Sequence, residues 1–266
     1  MCLLGDGPVA GQARWSSSLS LLAIHLTTMP QVAIHRHAAY YAPAAHSPLA
    51  QLGAQWLGRC AQSRRAMRQP DFRTISPETF HARTAAAARY GWHATMKAPF
   101  ALKPGAQMDA IPRAFISLAQ SKKALTLPPL TLRNMGDYLA LVPNAPSSAL
   151  QELAFDCVRT LHPLAEPLSD QQLVQRRLTR LTASQDAMLL QWSYPFVGEE
   201  FQWHMTLTGS LSGLTDGELQ ALREAALQWF GPVLNQAVEL DAICWFVEPV
   251  AGGDLYEAQR FALAQA

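Results

Sequence analysis

Two short stretches of the chain carry the same residue pattern at a fixed separation. The first is YGWHATM at 90–96 and the second is FQWHMTL at 201–207, so tryptophan, histidine and threonine recur at a constant offset of 111 residues, as from His93 to His204. One W-H-x-T pattern carries little information. A second copy arises by chance with odds of roughly one in a hundred, and such repeats are signatures of duplication. The pair therefore predicts a molecule built from two related halves.

The sequence after each pattern supports this duplication. Helical patterns follow at 109–122 and 215–231, and strand-forming sequence comes next at 125–142 and 238–248. Two copies of a strand–helix–strand unit predict a bilobal α+β fold, with a pseudo-twofold axis relating the lobes.

Turn and capping signals divide the rest of the chain into further elements. Ser-Pro pairs at Ser47 and Ser76 begin two helices. Two more helices are predicted at about 147–162 and 169–181, and a glycine stop is predicted to end the 215–231 helix at Gly231. The predicted strands include 32–42, the whole of FQWHMTLTGSL at 201–211, and DLYEAQRFALA at 254–264.

Composition limits the possible partners. Of the 266 residues, 49% are hydrophobic and 15% are charged, and the formal net charge is +1. Such a chain has ample apolar material for a core but no long basic tract, which disfavours polyanionic partners and leaves a small anionic substrate open. The four cysteines form no C-x-x-C motif, so a reducing, cytoplasmic location is expected.

The N-terminal segment reads differently from the rest. Its apolar run, SSSLSLLAIHL, is too short to span a bilayer, and Asp6 precedes the first basic residue, Arg14, unlike a secretory signal. We expect residues 1–30 to be a disordered or artefactual extension, residues 31–266 to form a single bilobal domain, and no membrane to be involved.

The strand period places the motif side chains together. Residues two apart in a strand share a face, so His93 lies beside Thr95 and His204 beside Thr206, with Lys97 continuing the first face. Two lobes that face each other would bring both imidazoles to the walls of one cleft.

This constellation suits the cleavage of a phosphodiester. One imidazole can activate water while the other protonates the leaving oxygen. Threonine hydroxyls can donate to the non-bridging oxygens, and the Lys97 ammonium can offset charge that builds on phosphorus. No carboxylate cluster accompanies either histidine in the sequence, so neither a metal nor another cofactor is predicted.

The paired motifs resemble those of the two-histidine (2H) phosphoesterase superfamily. The stretches YGWHATMKAPFAL, FQWHMTLTGSL and AAYYAPAAHSPLAQLGAQWLG are most similar to the branch associated with phosphonate-utilisation gene clusters, and the resemblance covers about residues 31–266. It implies two antiparallel sheets flanking a central cleft, and a small phosphorylated substrate such as a cyclic sugar phosphate or a nucleotide. The roles that it implies are catalysis for His93 and His204, phosphate binding for Thr95 and Thr206, and aromatic site positions for Tyr40 and Tyr194. The sequence departs from the branch at His37, where an aromatic residue is expected.

Three alternatives remain open at this stage. His35 and His37, with His46 or His25, could seed a zinc site. A basic groove could bind RNA ends that carry 2′,3′-cyclic phosphates. The protein could also be a nucleotide or phosphate sensor without turnover. The basic residues available for an RNA groove are Arg64, Arg65 and Arg68 in a loop, and Arg176, Arg177 and Arg180 on a helix that is expected to face solvent.

Overall fold

The computed structural model describes residues 34–265, and the expectations for residues 1–30 lie outside this range. Helices and antiparallel strands both contribute to the fold, which confirms the α+β class. The described strands are β1 (Arg36–Tyr41), β2 (Ala94–Phe100), β3 (Leu125–Leu127), β4 (Leu130–Asn134), β5 (Leu139–Pro143), β6 (Met205–Thr206), β7 (Val238–Leu240), β8 (Ala242–Glu248) and β9 (Tyr256–Ala262). The helices are α1 (Pro48–Leu57), α2 (Pro77–Ala88), α3 (Ala110–Ser121), α4 (Ser148–Leu161), α5 (Asp170–Arg177), α6 (Ala183–Trp192) and α7 (Asp216–Leu234).

One sheet carries both motif strands. Its strand order is β4-β5-β6-β2-β1-β8-β9, and β3 pairs with β7 in a separate two-stranded sheet. All of these named pairings are antiparallel. The strands expected to form two sheets beside the cleft are joined into one because β2 and β6 lie side by side, through the pair Ala94 and Met205.

The register between the halves follows the repeat. Ala94 pairs with Met205 in the larger sheet, and Leu127 pairs with Val238 in the smaller one. Both pairs join residues 111 positions apart, which is also the separation of the two motifs. A twofold axis between equivalent strands would produce this pairing. The pseudo-twofold symmetry stays a prediction with which both registers agree.

Strand β1 is buried on both of its faces. Ala39 and Tyr41 belong to the main hydrophobic core, whereas Ala38 and Tyr40 belong to a smaller cluster with Phe246. Alternate side chains of a strand point to opposite faces, so this one strand contributes to two packed layers. It thereby carries Tyr40 to the face on which His93 lies.

Most predicted helix starts are correct because their caps are local. The side chains of Ser47, Ser76, Ser169 and Thr215 each accept a hydrogen bond from the first turn of the helix that follows. Such an acceptor satisfies one of the amide groups that a helix leaves unpaired at its start.

Three predicted element boundaries are wrong. Helix α7 continues through Gly231 to Leu234, because Gly231 does not adopt a positive φ and the buried Val233 holds the last turn against the core. Strand β6 has only two residues, because the Thr208 hydroxyl replaces a backbone carbonyl as acceptor for the Leu139 amide. The predicted 169–181 helix ends at Arg177.

Helix α6 is a further element that the sequence patterns did not predict. Only Leu189 of this helix is buried, so its apolar periodicity is weak. Its capping box of Thr182 and Gln185 is the signal that could have revealed it. Among residues 34–265, no helix is long and apolar enough to cross a bilayer.

Candidate active site

The two motif histidines are held by the same local hydrogen bond. His93 Nδ1 lies 2.9 Å from the Gly91 carbonyl oxygen, and His204 Nδ1 lies 2.7 Å from that of Gln202. A carbonyl only accepts, so each Nδ1 carries the proton and donates it. The other ring nitrogen, Nε2, is then the basic atom of both imidazoles. The two repeated motifs therefore share the histidine tautomer as well as the sequence pattern.

Each Nε2 meets a hydroxyl group. The Thr95 hydroxyl lies 3.3 Å from His93 Nε2, and the Tyr138 hydroxyl lies 3.2 Å from His204 Nε2. Because Nδ1 bears the imidazole proton, these hydroxyls are the donors. The partners differ between the two histidines, so the halves are not chemically equivalent.

Burial holds both imidazoles in the neutral form. It lowers the pKa of His93 to about 4, and the charge of a protonated His204 would lower this pKa further, against the raising effect of the Gly91 carbonyl. Burial also lowers the pKa of His204, which the Gln202 carbonyl partly offsets. Both rings are therefore uncharged near neutrality, and a proton on one disfavours a proton on the other.

Tyrosine rings form much of the wall around His93. The Tyr40 ring stacks on the imidazole with a centroid separation of 3.9 Å and an interplanar angle of 25°. Tyr194, on the segment after α6, packs edge-on to Phe196. Burial raises the pKa of Tyr194 to about 12 and also raises that of Tyr40, so both hydroxyls keep their protons and can donate hydrogen bonds.

All seven site residues predicted from the sequence line two neighbouring cavities, which together are called the cleft here. One cavity, of about 420 Å³, lies on the His93 side and the other, of about 280 Å³, lies on the His204 side; Thr95, Ala98, Tyr138 and Tyr194 line both. Tyr40 and Thr206 line the larger cavity, and Lys97 lines the smaller one. Most residues in the wall of the smaller cavity are apolar or aromatic, although Lys97, Glu200 and His204 also line it, whereas the wall of the larger cavity carries most of the hydroxyl groups and both guanidinium groups.

Lys97 is a buried cation. Its residue is 4% exposed, and its Nζ lies 5.0 Å from the centroid of the Phe100 ring. Burial lowers the pKa of Lys97 to about 8, and the positive charge of Arg176 lowers it further. Within the described part of the chain Lys97 forms no ion pair, which leaves its charge available to an anion in the cleft.

Several cleft residues were not predicted for this site. Tyr138 lies just before β5 and reaches His204 from the neighbouring strand. Arg36 in β1 and Arg176 in α5 line the larger cavity with His93. No spacing in the sequence connects these three positions, and only the helix face proposed for RNA binding had singled out Arg176.

The residues named for the alternatives lie elsewhere. His37 packs between the rings of Phe100 and Trp245, and its Nδ1 accepts a hydrogen bond from Trp245 Nε1 at 3.1 Å. Among residues 34–265 no group of three or more His, Cys, Asp or Glu side chains could hold a metal ion; His25 lies outside this range. Of the six arginines considered for RNA binding, only Arg176 contributes to the cleft: Arg64, Arg65, Arg68, Arg177 and Arg180 are exposed and do not line it.

Fold and site define an α+β protein with a paired histidine cleft, and its sequence places it in a family. Residues 95–256, more than half of the chain, match the family described as "Protein of unknown function (DUF1045)", to which the chain belongs. It is 34% identical over 226 residues to "Ribose 1,5-bisphosphate phosphokinase PhnN" of Janthinobacterium sp. (strain Marseille), and 37% identical over 219 residues to the protein of that name from Laribacter hongkongensis (strain HLHK9). These alignments cover 85% and 82% of the chain, which spans about half the length of either relative, 50% and 49%.

Solved structures with a related fold include a phosphoesterase and Escherichia coli LigT. The phosphoesterase shares 11% identity at a TM-score of 0.44, and LigT in complex with phosphate shares 14% at 0.45. Both similarities cover 87% of this chain and 99% of the other. At this level of similarity, the ligands of LigT say nothing about those of this chain.

Proposed function

We propose that this chain is a phosphoesterase that hydrolyses a small cyclic phosphate or phosphodiester by general acid–base catalysis with His93 and His204. The observation that carries the proposal is the shared orientation of the two imidazoles. Each donates from Nδ1 to a carbonyl two residues earlier, and each keeps Nε2 for proton transfer. Nothing in simple core packing requires this arrangement twice within one cleft.

The proposed reaction moves two protons. The base, a neutral imidazole, accepts a proton from water at Nε2 while the water oxygen bonds to phosphorus. The acid enters the step as an imidazolium, protonated on both nitrogens, and gives its Nε2 proton to the ester oxygen as the P–O bond breaks. We assign the base to His93, because burial and Tyr40 stacking favour its neutral form, and the acid to His204. We assign Thr95, Thr206 and Lys97 to hold the phosphate oxygens and to offset their charge, and their positions in the cleft wall support this assignment.

A cyclic sugar phosphate is the substrate class that we favour. The relatives' name refers to ribose 1,5-bisphosphate, a phosphorylated sugar, and the phosphonate association of the resembling branch also favours a sugar phosphate. We propose that the named kinase activity belongs to the part of those relatives that this chain does not match. The phosphate-binding pattern G-x-x-x-x-G-K-[S/T] of P-loop kinases is absent from the 266-residue sequence. A cytoplasmic location remains a prediction from the sparse cysteines.

Replacing the two histidines tests the proposal. Screening cyclic nucleotides, cyclic sugar phosphates and RNA ends should reveal a substrate, on which His93→Ala and His204→Ala each lower kcat by ~10²–10⁴. The exposed His46, which lies outside the cleft, supplies the matched control His46→Ala. Full activity in a His93→Ala/His204→Ala double variant would end the proposal.

The pH profile and binding measurements separate the alternatives. Both pKa values are lowered from 6.5, that of His93 to about 4, so kcat/KM should be bell-shaped with its maximum below pH 6.5. A cyclic nucleotide that binds in calorimetry without turnover would indicate a sensor instead. Oligonucleotide binding with a steep salt dependence would indicate the RNA-end activity.

A further inference from the structure

Two guanidinium groups face the larger half of the cleft. Arg36 comes from β1 and Arg176 from α5, and both line the cavity that contains His93 and Thr206. The next residue on the same helix has another partner: the guanidinium of Arg177 forms a bidentate ion pair with Asp186, at 2.7 and 2.9 Å. Arg176 is thus the residue of this arginine pair that turns towards the cleft.

The cations of this wall outnumber its anions. The buried Glu248 carboxylate accepts hydrogen bonds from both Arg36 and Arg89, so one negative charge is paired with two positive charges. Arg176 forms no ion pair with the residues that the structure describes. Asp137 also lines the cavity, but its Oδ1 accepts from the Leu211 amide at 3.2 Å. Among the residues that line this cavity, two carry guanidinium groups, Arg36 and Arg176, and one carries a carboxylate, Asp137.

The electrostatic environment of Arg176 favours the binding of an anion beside it. Burial lowers the pKa of Arg176, the Tyr194 hydroxyl opposes this effect, and the charge of Arg36 lowers the pKa further. Two like charges in a partly buried wall repel each other, and an anion held by both would remove that repulsion. A guanidinium group also matches the geometry of a phosphate better than an ammonium does.

We infer that Arg176 and Arg36 form a second anion subsite, which takes a phosphate monoester that the substrate carries apart from the ester being cleaved. The inference rests on the proposed function for the identity of the cleaved group. Hydrolysis adds one water across a P–O bond of the cyclic ester and leaves the monoester untouched. The product therefore carries two phosphate monoesters, and the reaction that consumes it must accept a bisphosphate.

A matched pair of substrates tests the subsite by turnover. We would use a ribose cyclic phosphate with a free 5-hydroxyl and the same compound with a 5-phosphate, on wild type, Arg176→Gln and the control Arg177→Gln. Arg176→Gln should lower kcat/KM for the 5-phosphate by about 10- to 100-fold, the range expected for one lost hydrogen bond to a charged group. It should change kcat/KM for the 5-hydroxyl compound less than threefold. Arg176→Lys should recover part of the lost kcat/KM, because lysine keeps the positive charge but not the bidentate hydrogen-bonding geometry of the guanidinium group.

Equal losses on both compounds, or no loss on either, would overturn the subsite. If wild type hydrolyses neither compound, the favoured substrate class of the proposed function fails, and binding decides the subsite by itself. Calorimetry would then compare ribose 1,5-bisphosphate with ribose 1-phosphate. Wild type and Arg177→Gln should bind the bisphosphate at least tenfold more tightly, and Arg176→Gln should bind the two alike. An unchanged preference in Arg176→Gln would contradict the subsite.

Discussion

At the scale of single residues, His37 is a buried polar group of which only one ring nitrogen, Nδ1, has a hydrogen-bond partner among the described residues. Its imidazole is fully buried between two aromatic rings, and Trp245 Nε1 donates to its Nδ1. The related branch is expected to carry an aromatic residue at this position, and the side chains that surround His37 are indeed aromatic. Burial lowers the pKa of His37 to about 4, so the folded protein holds this ring neutral.

This burial predicts an acid sensitivity that His37→Phe removes. The unfolded chain binds a proton near pH 6.5 whereas the folded chain resists it down to about pH 4, so stability is complete above 6.5 and falls as the pH drops through this window. Between pH 7.5 and 5 the loss due to His37 is about 2 kcal/mol. Urea denaturation at both pH values should show a smaller loss in His37→Phe, by that amount, and also in His37→Gln. An unchanged pH dependence in both variants would contradict the prediction.

The site residues that the repeated spacing predicts all lie in the cleft wall, and their chemical roles stay predictions. His93, Thr95, His204 and Thr206 follow from strand period alone once the repeat is seen, and all line the cleft. Tyr138 reaches the site through the pairing of β5 with β6. Such a contact depends on sheet topology, which no local pattern contains.

At the scale of elements, helix α1 approaches the start of the first motif strand closely and supports it. Trp92 stacks on Phe230 of α7 at 5.3 Å, and its ring also lies against the backbone of α1 at Gly53. A Cβ at Gly53 would overlap the indole ring, so glycine allows this approach. The position of His93, the next residue after Trp92, therefore depends on α1.

The close approach predicts opposite effects for two glycine substitutions in helices. Gly53→Ala forces Trp92 to move and should lower the free energy of unfolding by about 1–3 kcal/mol. Gly217→Ala, in the first turn of α7, meets open space and should raise this free energy by up to about 1 kcal/mol. Chemical denaturation of both variants measures the two changes. A Gly53→Ala variant as stable as wild type would show that Trp92 does not fix the α1 position.

Helix starts were more predictable than strand lengths, for a physical reason. A cap such as Ser169 acts within four residues, so its signal is complete in the sequence. The length of β6 depends instead on Leu139, whose amide is satisfied by the Thr208 side chain from across the sheet. Strand boundaries of this kind are set by partners far away in the chain.

At the scale of the whole molecule, the two halves share their sheets and their core. The motif strands meet at Ala94 and Met205, and β3 of one half pairs with β7 of the other. Phe115 of α3 stacks on Phe261 of β9 with a centroid separation of 5.0 Å. The cleft is likewise built from both halves, with His93 on one side and His204 on the other.

Such sharing predicts that the two halves unfold together. Leu141→Ala in β5 and Ile243→Ala in β8 each remove a fully buried side chain, one from each half, and each should cost about 2–5 kcal/mol. Because the sheet and the core are continuous, either substitution should shift one common transition. Urea denaturation followed by tryptophan fluorescence and by far-ultraviolet circular dichroism would give coincident curves for wild type and both variants. If Leu141→Ala separated the two signals into distinct steps while Ile243→Ala shifted only the second, the two parts of the sheet, β4-β5-β6 and β2-β1-β8-β9, would be independent folding units, and the narrow contact at Ala94 would not couple them.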